Sequence, residues 1–390
     1  MSFPRAARAA LLGKKCFLGI SGLIGVAFLA AALPSCGGGK KPPVFGQKQN
    51  AYVTVPSHGS VLLLNINPLI GAITTVAETP QIVGTSPYGL ALLNKFLYVA
   101  NSDGDNISLF NIAGDGTLSQ NTTPTPAGSG PHAAVIDPSG KFLLVTNSFS
   151  NDLSVFSIDT SSGALTPVAG SPFYANQDPG EILFAPSGDL VYVSNSGVGT
   201  VTGFTFSTST GFLTSLGPPY YSGAGAAGLA IDSTGTHLYV ANTSAINNPP
   251  TSVGNISGYN INLTQGPGYG TLSTITGSPF TTFAGSGPSA LVFATNGNLL
   301  FATTPGSTYS VWAFSIAQNG SLTATVDSPF SVASGGLFAL IDNTGDYFYI
   351  GTPSGIEGYT YDQNNGEPSV ITNSPFSTDG VSPGKMVIVQ

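Results

Sequence analysis

From residue 51 to the C-terminus, β-branched and aromatic residues alternate with small polar ones in short runs, and Gly, Asn, Asp and Pro fall between the runs. Alternation with a period of two predicts β-strands joined by turns. Nothing beyond the N-terminal segment carries the pattern of a long amphipathic helix. One run recurs in variant forms: Tyr98-Val-Ala-Asn101, Leu144-Val-Thr-Asn147, Tyr192-Val-Ser-Asn195, Tyr239-Val-Ala-Asn242, Phe301-Ala-Thr-Thr304 and Tyr349-Ile-Gly-Thr352. The copies are about 46 to 48 residues apart, with one longer interval, and a fixed period of that size marks a repeat architecture. The fullest copy, residues 130–147 followed by 152–158 and 163–168, reads as four short antiparallel strands, the signature of a β-propeller blade.

First strands at residues 88–93, 132–136, 181–184, 228–231, 290–293 and 337–341 give six complete units. The chain ends on Met386-Val-Ile-Val-Gln390, a first strand with no successors, and the repeats begin at Ala51-Tyr-Val-Thr-Val55, a second strand with no predecessor. Joined, the two ends complete a seventh blade and remove the two open edges of an unclosed array. The expected fold is therefore an all-β, seven-bladed propeller of four-stranded antiparallel blades, closed by pairing the C-terminal strand with the N-terminal strands. Ser-Pro-Phe recurs at 171–173, 278–280, 328–330 and 374–376, after the fourth strand of four units, where an edge tolerates a proline and the Phe packs under the turn.

Residues 1–36 differ in character. Arg5, Arg8, Lys14 and Lys15 precede an almost wholly apolar stretch from Phe17 to Leu33, and Leu33-Pro-Ser-Cys36 closes it. This is the layout of a secretory signal. It resembles a bacterial lipoprotein cleavage box, which implies lipidation at Cys36, a flexible tether over 37–50, and a propeller over 51–390. The expected location is the cell envelope, periplasm or outer membrane, with membrane attachment through the lipid and no spanning segment in the mature protein. The only cysteines are Cys16 and Cys36, so the propeller is expected to have no disulfide and no Cys nucleophile.

Removing the four N-terminal cations leaves six Lys against eighteen Asp and Glu, a net charge of −12. From residue 51 on, the only cations are Lys95, Lys141 and Lys385, with no Arg. Nucleic acid is excluded as a partner, since phosphate neutralisation needs basic clusters. A monomer is expected.

The Tyr-Val-x-Asn strands, the Asp-x-x-Gly turns at 137–140, 232–235 and 342–345, and the Gly-x-Leu openings of fourth strands resemble the YVTN/lactonase-type seven-bladed propellers, to which 6-phosphogluconolactonase belongs. That resemblance implies a site at the channel mouth where first strands begin. It also matches the family's Pro-His to Pro131-His132. Where the family often carries Arg in the next blade, this chain has Pro179-Gly180-Glu181, which weighs against a phosphorylated substrate.

In a propeller the starts of first strands and the loops between second and third strands share one face. Tyr88, His132, Glu181 and Lys385 are thus expected to ring one channel mouth, with Asn101, Asn147 and Asn195 beside it. His132 reads as a general base for water attack on a carbonyl, Glu181 as its orienter or alternative base, and Lys385 as the oxyanion stabiliser. Tyr88 and the three asparagines read as ligand-binding. Each also has a purely structural reading. Asp103-Gly-Asp105 is too small a ligand set for Ca²⁺, and His58 and His237 stand alone without a carboxylate at metal spacing, so neither metal nor cofactor is expected. The longest loop, 242–255, reads as a partner-contact loop or a tolerated insertion.

Two functions compete. The paucity of titratable groups favours a binding or scaffolding module for an envelope protein or a neutral saccharide. The alternative is a hydrolase of an uncharged lactone with His132 as base.

Overall fold

The computed structural model describes residues 48–389 apart from 77–80, 244–253, 281–286, 306–309, 333–334 and 379. The leader, Cys36, most of the tether and most of the 242–255 loop lie outside the described residues. No α-helix occurs among the described residues; one 3-10 turn, Pro56–His58, joins two strands.

Seven antiparallel sheets form, each in the chain order of a meander. Blade 1 is the composite one. Met386–Ile388 lies beside Gln49–Val55, followed by Ser60–Ile66 and Ile73–Thr75. Its closing register is Ala51↔Ile388, Tyr52↔Val387 and Val53↔Met386, so the two chain ends supply the seventh sheet. Blade 1 begins at Gln49, two residues inside the stretch read as tether. Blades 2 to 7 open with Pro87–Leu93, Pro131–Ile136, Pro179–Phe184, Ala226–Ile231, Ala290–Phe293 and Phe338–Ile341.

Seven buried clusters fill the seven interfaces between neighbouring blades, which is how a chain of this length keeps every local core small. The repeat tyrosine does two jobs there. Its ring is fully buried, and its hydroxyl donates to a glycine carbonyl in the turn before the next blade's fourth strand. The bonds are Tyr52 to Gly116, Tyr98 to Gly163, Tyr192 to Gly270, Tyr239 to Gly320 and Tyr349 to Gly71, at 2.6 to 2.8 Å. Leu144 and Phe301 occupy the position without a hydroxyl.

The Ser-Pro-Phe runs begin a short outer element. In five sheets, two-residue strands pair with the third strand beside the fourth, and single bridges at Phe280 and Phe376 do the same in blades 5 and 7. The serine hydroxyl accepts the third-strand N–H of Val155, Gly258, Ala313 or Gly358, at 2.9 to 3.0 Å, and the Ser-Pro bonds are cis. The asparagine of each Tyr-Val-x-Asn run is also internal. The side chains of Asn101, Asn147 and Asn195 are completely buried, and their amides donate to residues five and seven positions on, such as Asp152 (2.7 Å) and Ser154 (2.9 Å) for Asn147.

Candidate functional site at the upper channel mouth

First strands line the axis, and the face on which they begin is here called upper. In blades 2 to 5 the pairing of first to second strand slips immediately after the opening residue: Pro87/Leu90, Pro131/Ala134, Pro179/Ile182 and Ala226/Leu229. A bulge re-aims the residues it contains. Here it frees Tyr88, His132, Gly180, Glu181 and Ala227 from the ladder, and they line the mouth.

The variable residue of Tyr-Val-x-Asn fixes these segments to one another. Thr54 accepts the N–H of Lys385 (2.8 Å) and donates to the carbonyl of Tyr88 (3.0 Å). Thr146 likewise joins Ala133 N–H to Gly180 C=O, both at 2.9 Å, and Ser194 joins Glu181 N–H (3.0 Å) to Ala227 C=O (2.6 Å). A hydroxyl on each of these second strands therefore ties its own first strand to the next blade's. Blade 2 has Ala100 there. Gly89 replaces the tie with close backbone approach, since a Cβ on it would lie 2.4 Å from the His132 carbonyl oxygen.

The result is a cavity of about 260 Å³ to which all seven blades contribute: Lys385 from blade 1, then Tyr88, His132, Glu181, Ala227, Ser289 and Leu337. Lys385 Nζ forms an ion pair with Glu181 Oε1, linking blades 1 and 4 across the axis, with about a quarter of each side chain exposed. Tyr88 stacks on His132 with ring centroids 4.2 Å apart and planes inclined by 26°. His132 Nδ1 is buried with no hydrogen-bond partner.

Burial is the largest influence on His132 and pushes its pKa below 6.5; Glu181 opposes and Lys385 assists. The ring is therefore neutral at pH 7. Burial alone would raise Glu181 and lower Lys385, but their mutual attraction outweighs it, so the carboxyl stays below and the ammonium above its ordinary value. Burial raises the Tyr88 phenol, so it remains a donor.

The fold thus gathers Tyr88, His132, Glu181 and Lys385 at one mouth. It does not bring Asn101, Asn147 and Asn195 to the cavity surface, because their side chains are fully buried with their Nδ2 groups donating inside their own blades. Asp178 and Ser196 also line the mouth and were not singled out from sequence; a lone Asp before a proline in an irregular linker carries no pattern. A larger groove of about 510 Å³ opens at the lower end, lined by residues such as Leu92, Leu340, Met386 and Val389, and none of the described residues lining it is titratable. His237, read as standing alone, has Asp232 Oδ2 2.8 Å from its Nδ1. That carboxylate also accepts the N–H groups of Thr236 and His237, so the pair belongs to a lower turn. Among the described residues no three His, Cys, Asp or Glu side chains gather to hold a metal.

The family model described as Lactonase, 7-bladed beta-propeller matches residues 44–175, which contain blades 2 and 3 and the N-terminal strands of blade 1. This chain resembles the lactonase propellers. A 6-phosphogluconolactonase of Bacillus subtilis is 30% identical over 139 residues, covering 33% of this chain and 40% of that protein. Another, from Formosa agariphila, is 40% identical over 74 residues, covering 18% and 21%. The alignments therefore span less than half the length of either relative. Among solved structures, a candidate 6-phosphogluconolactonase of Bacteroides fragilis superimposes with a TM-score of 0.73 at 18% identity, covering 90% of this chain and all of that one. The periplasmic gluconolactonase of Pseudomonas aeruginosa gives 0.69 at 16%, covering 88% and 99%. At such identities the structures speak for the fold.

Proposed function

We propose that this protein hydrolyses lactones at the upper channel mouth, with His132 as the base. The observation that carries this reading is the convergence of a neutral imidazole, His132, and a charge-paired ammonium, Lys385, at one axial cavity. The likeness to lactonase propellers supports the reaction class.

In this reading a water molecule donates a proton to the His132 imidazole as its oxygen bonds to the lactone carbonyl carbon. Lys385 stabilises the negative charge on the carbonyl oxygen, and Glu181 holds the ammonium charged and in place. Collapse of the tetrahedral intermediate breaks the ring C–O bond, and the departing alkoxide takes the proton from His132. The product is the open hydroxy acid.

A binding or scaffolding role, the first expectation from composition, has weaker support because the scarce titratable groups converge instead of scattering. The test is a pH-stat screen of the purified protein against uncharged five- and six-membered lactones. Turnover above the spontaneous rate supports the reading. No turnover with any of them, alongside specific capture of an envelope glycan or protein, would overturn it in favour of the binding module.

The N-terminal pattern supports export and lipid attachment at Cys36. Cys36→Ser should release the protein from the membrane fraction; retention there would refute the anchor.

A further inference from the structure

The residue that precedes each first strand occupies the left-handed region in blades 2 to 5: Ser86 (φ 51°), Gly130 (72°), Asp178 (55°) and Gly225 (66°). The same bond locks each of them. Its carbonyl accepts the N–H of the residue after the second strand, Ser102, Ser148, Ser196 or Thr243, at 2.8 to 3.0 Å. The backbone at this position suits glycine, and blades 3 and 5 have it. A β-carbon there is unfavourable. Blade 4 nevertheless carries Asp178, and its side chain is held: Ser196 Oγ donates to Asp178 Oδ2, while Asn151 Oδ1 accepts the Asp178 N–H at 2.8 Å. Both Asp178 and Ser196 line the mouth.

Charge gives this residue a consequence. Among the described residues the only ammonium lining the cavity, Lys385, is already paired with Glu181, so Asp178 leaves the mouth with one unbalanced carboxylate. Among the described residues the remaining cations do not correct this. Lys95 and Lys141 sit in turns between first and second strands, and Lys48 precedes the second strand of blade 1, all at the lower face. Asp103, Asp105 and Asp152, by contrast, lie in or beside upper loops.

We propose that Asp178 is an anion filter that sets the channel mouth for uncharged ring esters and rejects phosphorylated ones. The word ester rests on the lactone-hydrolase reading; the charge selection does not. A phosphate group close to Asp178 meets like charge in a site with no free cation, which a neutral ring of the same shape does not. Asp178 acts on which ligand enters, and the chemistry stays with His132 and Lys385.

Two measurements separate the filter from the reaction. In the first, kcat/KM is measured for glucono-1,5-lactone and its 6-phosphate. The native protein should favour the neutral lactone at least 100-fold, and Asp178→Asn should narrow that ratio at least tenfold, chiefly through KM of the phosphorylated lactone. Asp178→Gly, the residue native to blades 3 and 5, should do the same and guards against a folding defect. In the second, the non-reacting probes glucose and glucose 6-phosphate are titrated against the His132 ring signals by NMR. Asp178→Asn should tighten glucose 6-phosphate at least fivefold and leave glucose within twofold. Absence of lactone turnover with this binding result would sink the hydrolase and keep the filter. Equal use of both lactones, an unchanged glucose 6-phosphate affinity in the variant, or no binding of either probe overturns the filter.

Discussion

Tyr349 and Gly71 lie 278 positions apart in sequence, and the tyrosine hydroxyl donates to the glycine carbonyl at 2.7 Å. The bond joins blade 7 to blade 1 and repeats, at the point of ring closure, the clasp that four other blade pairs use. Closure matters to the site because it carries Lys385 to the axis opposite Glu181.

Tyr349→Phe should therefore destabilise the protein by about 1–2 kcal/mol, the cost of losing one buried bond and leaving a buried carbonyl unpaired. Chemical denaturation checks this, with Tyr239→Phe as the interior comparison. A loss below about 0.3 kcal/mol for both would mean that the clasp contributes nothing.

Removing one member of the axial ion pair should cost more than removing both. Lys385→Met leaves Glu181 uncompensated in a partly buried site, with an expected loss of roughly 2 kcal/mol. Lys385→Met combined with Glu181→Gln should recover at least half of it. A double-mutant cycle by denaturation decides; a double variant whose loss equals the sum of the two single losses would show the two groups to be independent.

Gly89→Ala should disturb the site without touching a titratable group. The added methyl would press on the His132 carbonyl, and the expected cost is about 1–3 kcal/mol of stability. A shift of the His132 ring signals should accompany it. An unchanged His132 environment would mean that the close approach does not position the ring.

The pH profile follows from the shifts. Burial holds His132 below its ordinary value, so the base form persists as pH falls through 6.5, and the acid limb of kcat/KM should lie below that pH. Lys385 is held above 10.5, so no loss is expected between pH 7 and 10 once spontaneous hydrolysis is subtracted. In stability the sign is the same. Because the unfolded chain binds the His132 proton more readily, the contribution of this residue falls as pH drops below 6.5 and levels off below the folded pKa. A limb centred at or above 6.5 would contradict the assignment.

Much of this was legible in the sequence because a blade must alternate apolar and polar residues and must close on itself. The partnership of Met386–Ile388 with Gln49–Val55 followed from two incomplete units, one lacking successors and one lacking a predecessor. The convergence of Tyr88, His132, Glu181 and Lys385 followed from their common place at the start of first strands. The asparagines were harder. They sit at the expected end of the second strand, but sequence does not show whether an amide at a rim faces the channel or, as here, the interior of its own sheet. The role of Asp178 was hidden because it needs a dihedral angle and a comparison between blades, and neither is present in residue order.

The most direct test compares kcat/KM for glucono-1,5-lactone between the native protein and His132→Ala, with Tyr349→Phe as a control for general loosening. A base worth its usual share of the barrier predicts a fall of about 10²–10⁴ for His132→Ala and less than about threefold for the control. Lactone turnover that survives His132→Ala within a factor of about five would contradict the assignment of chemistry to the upper mouth.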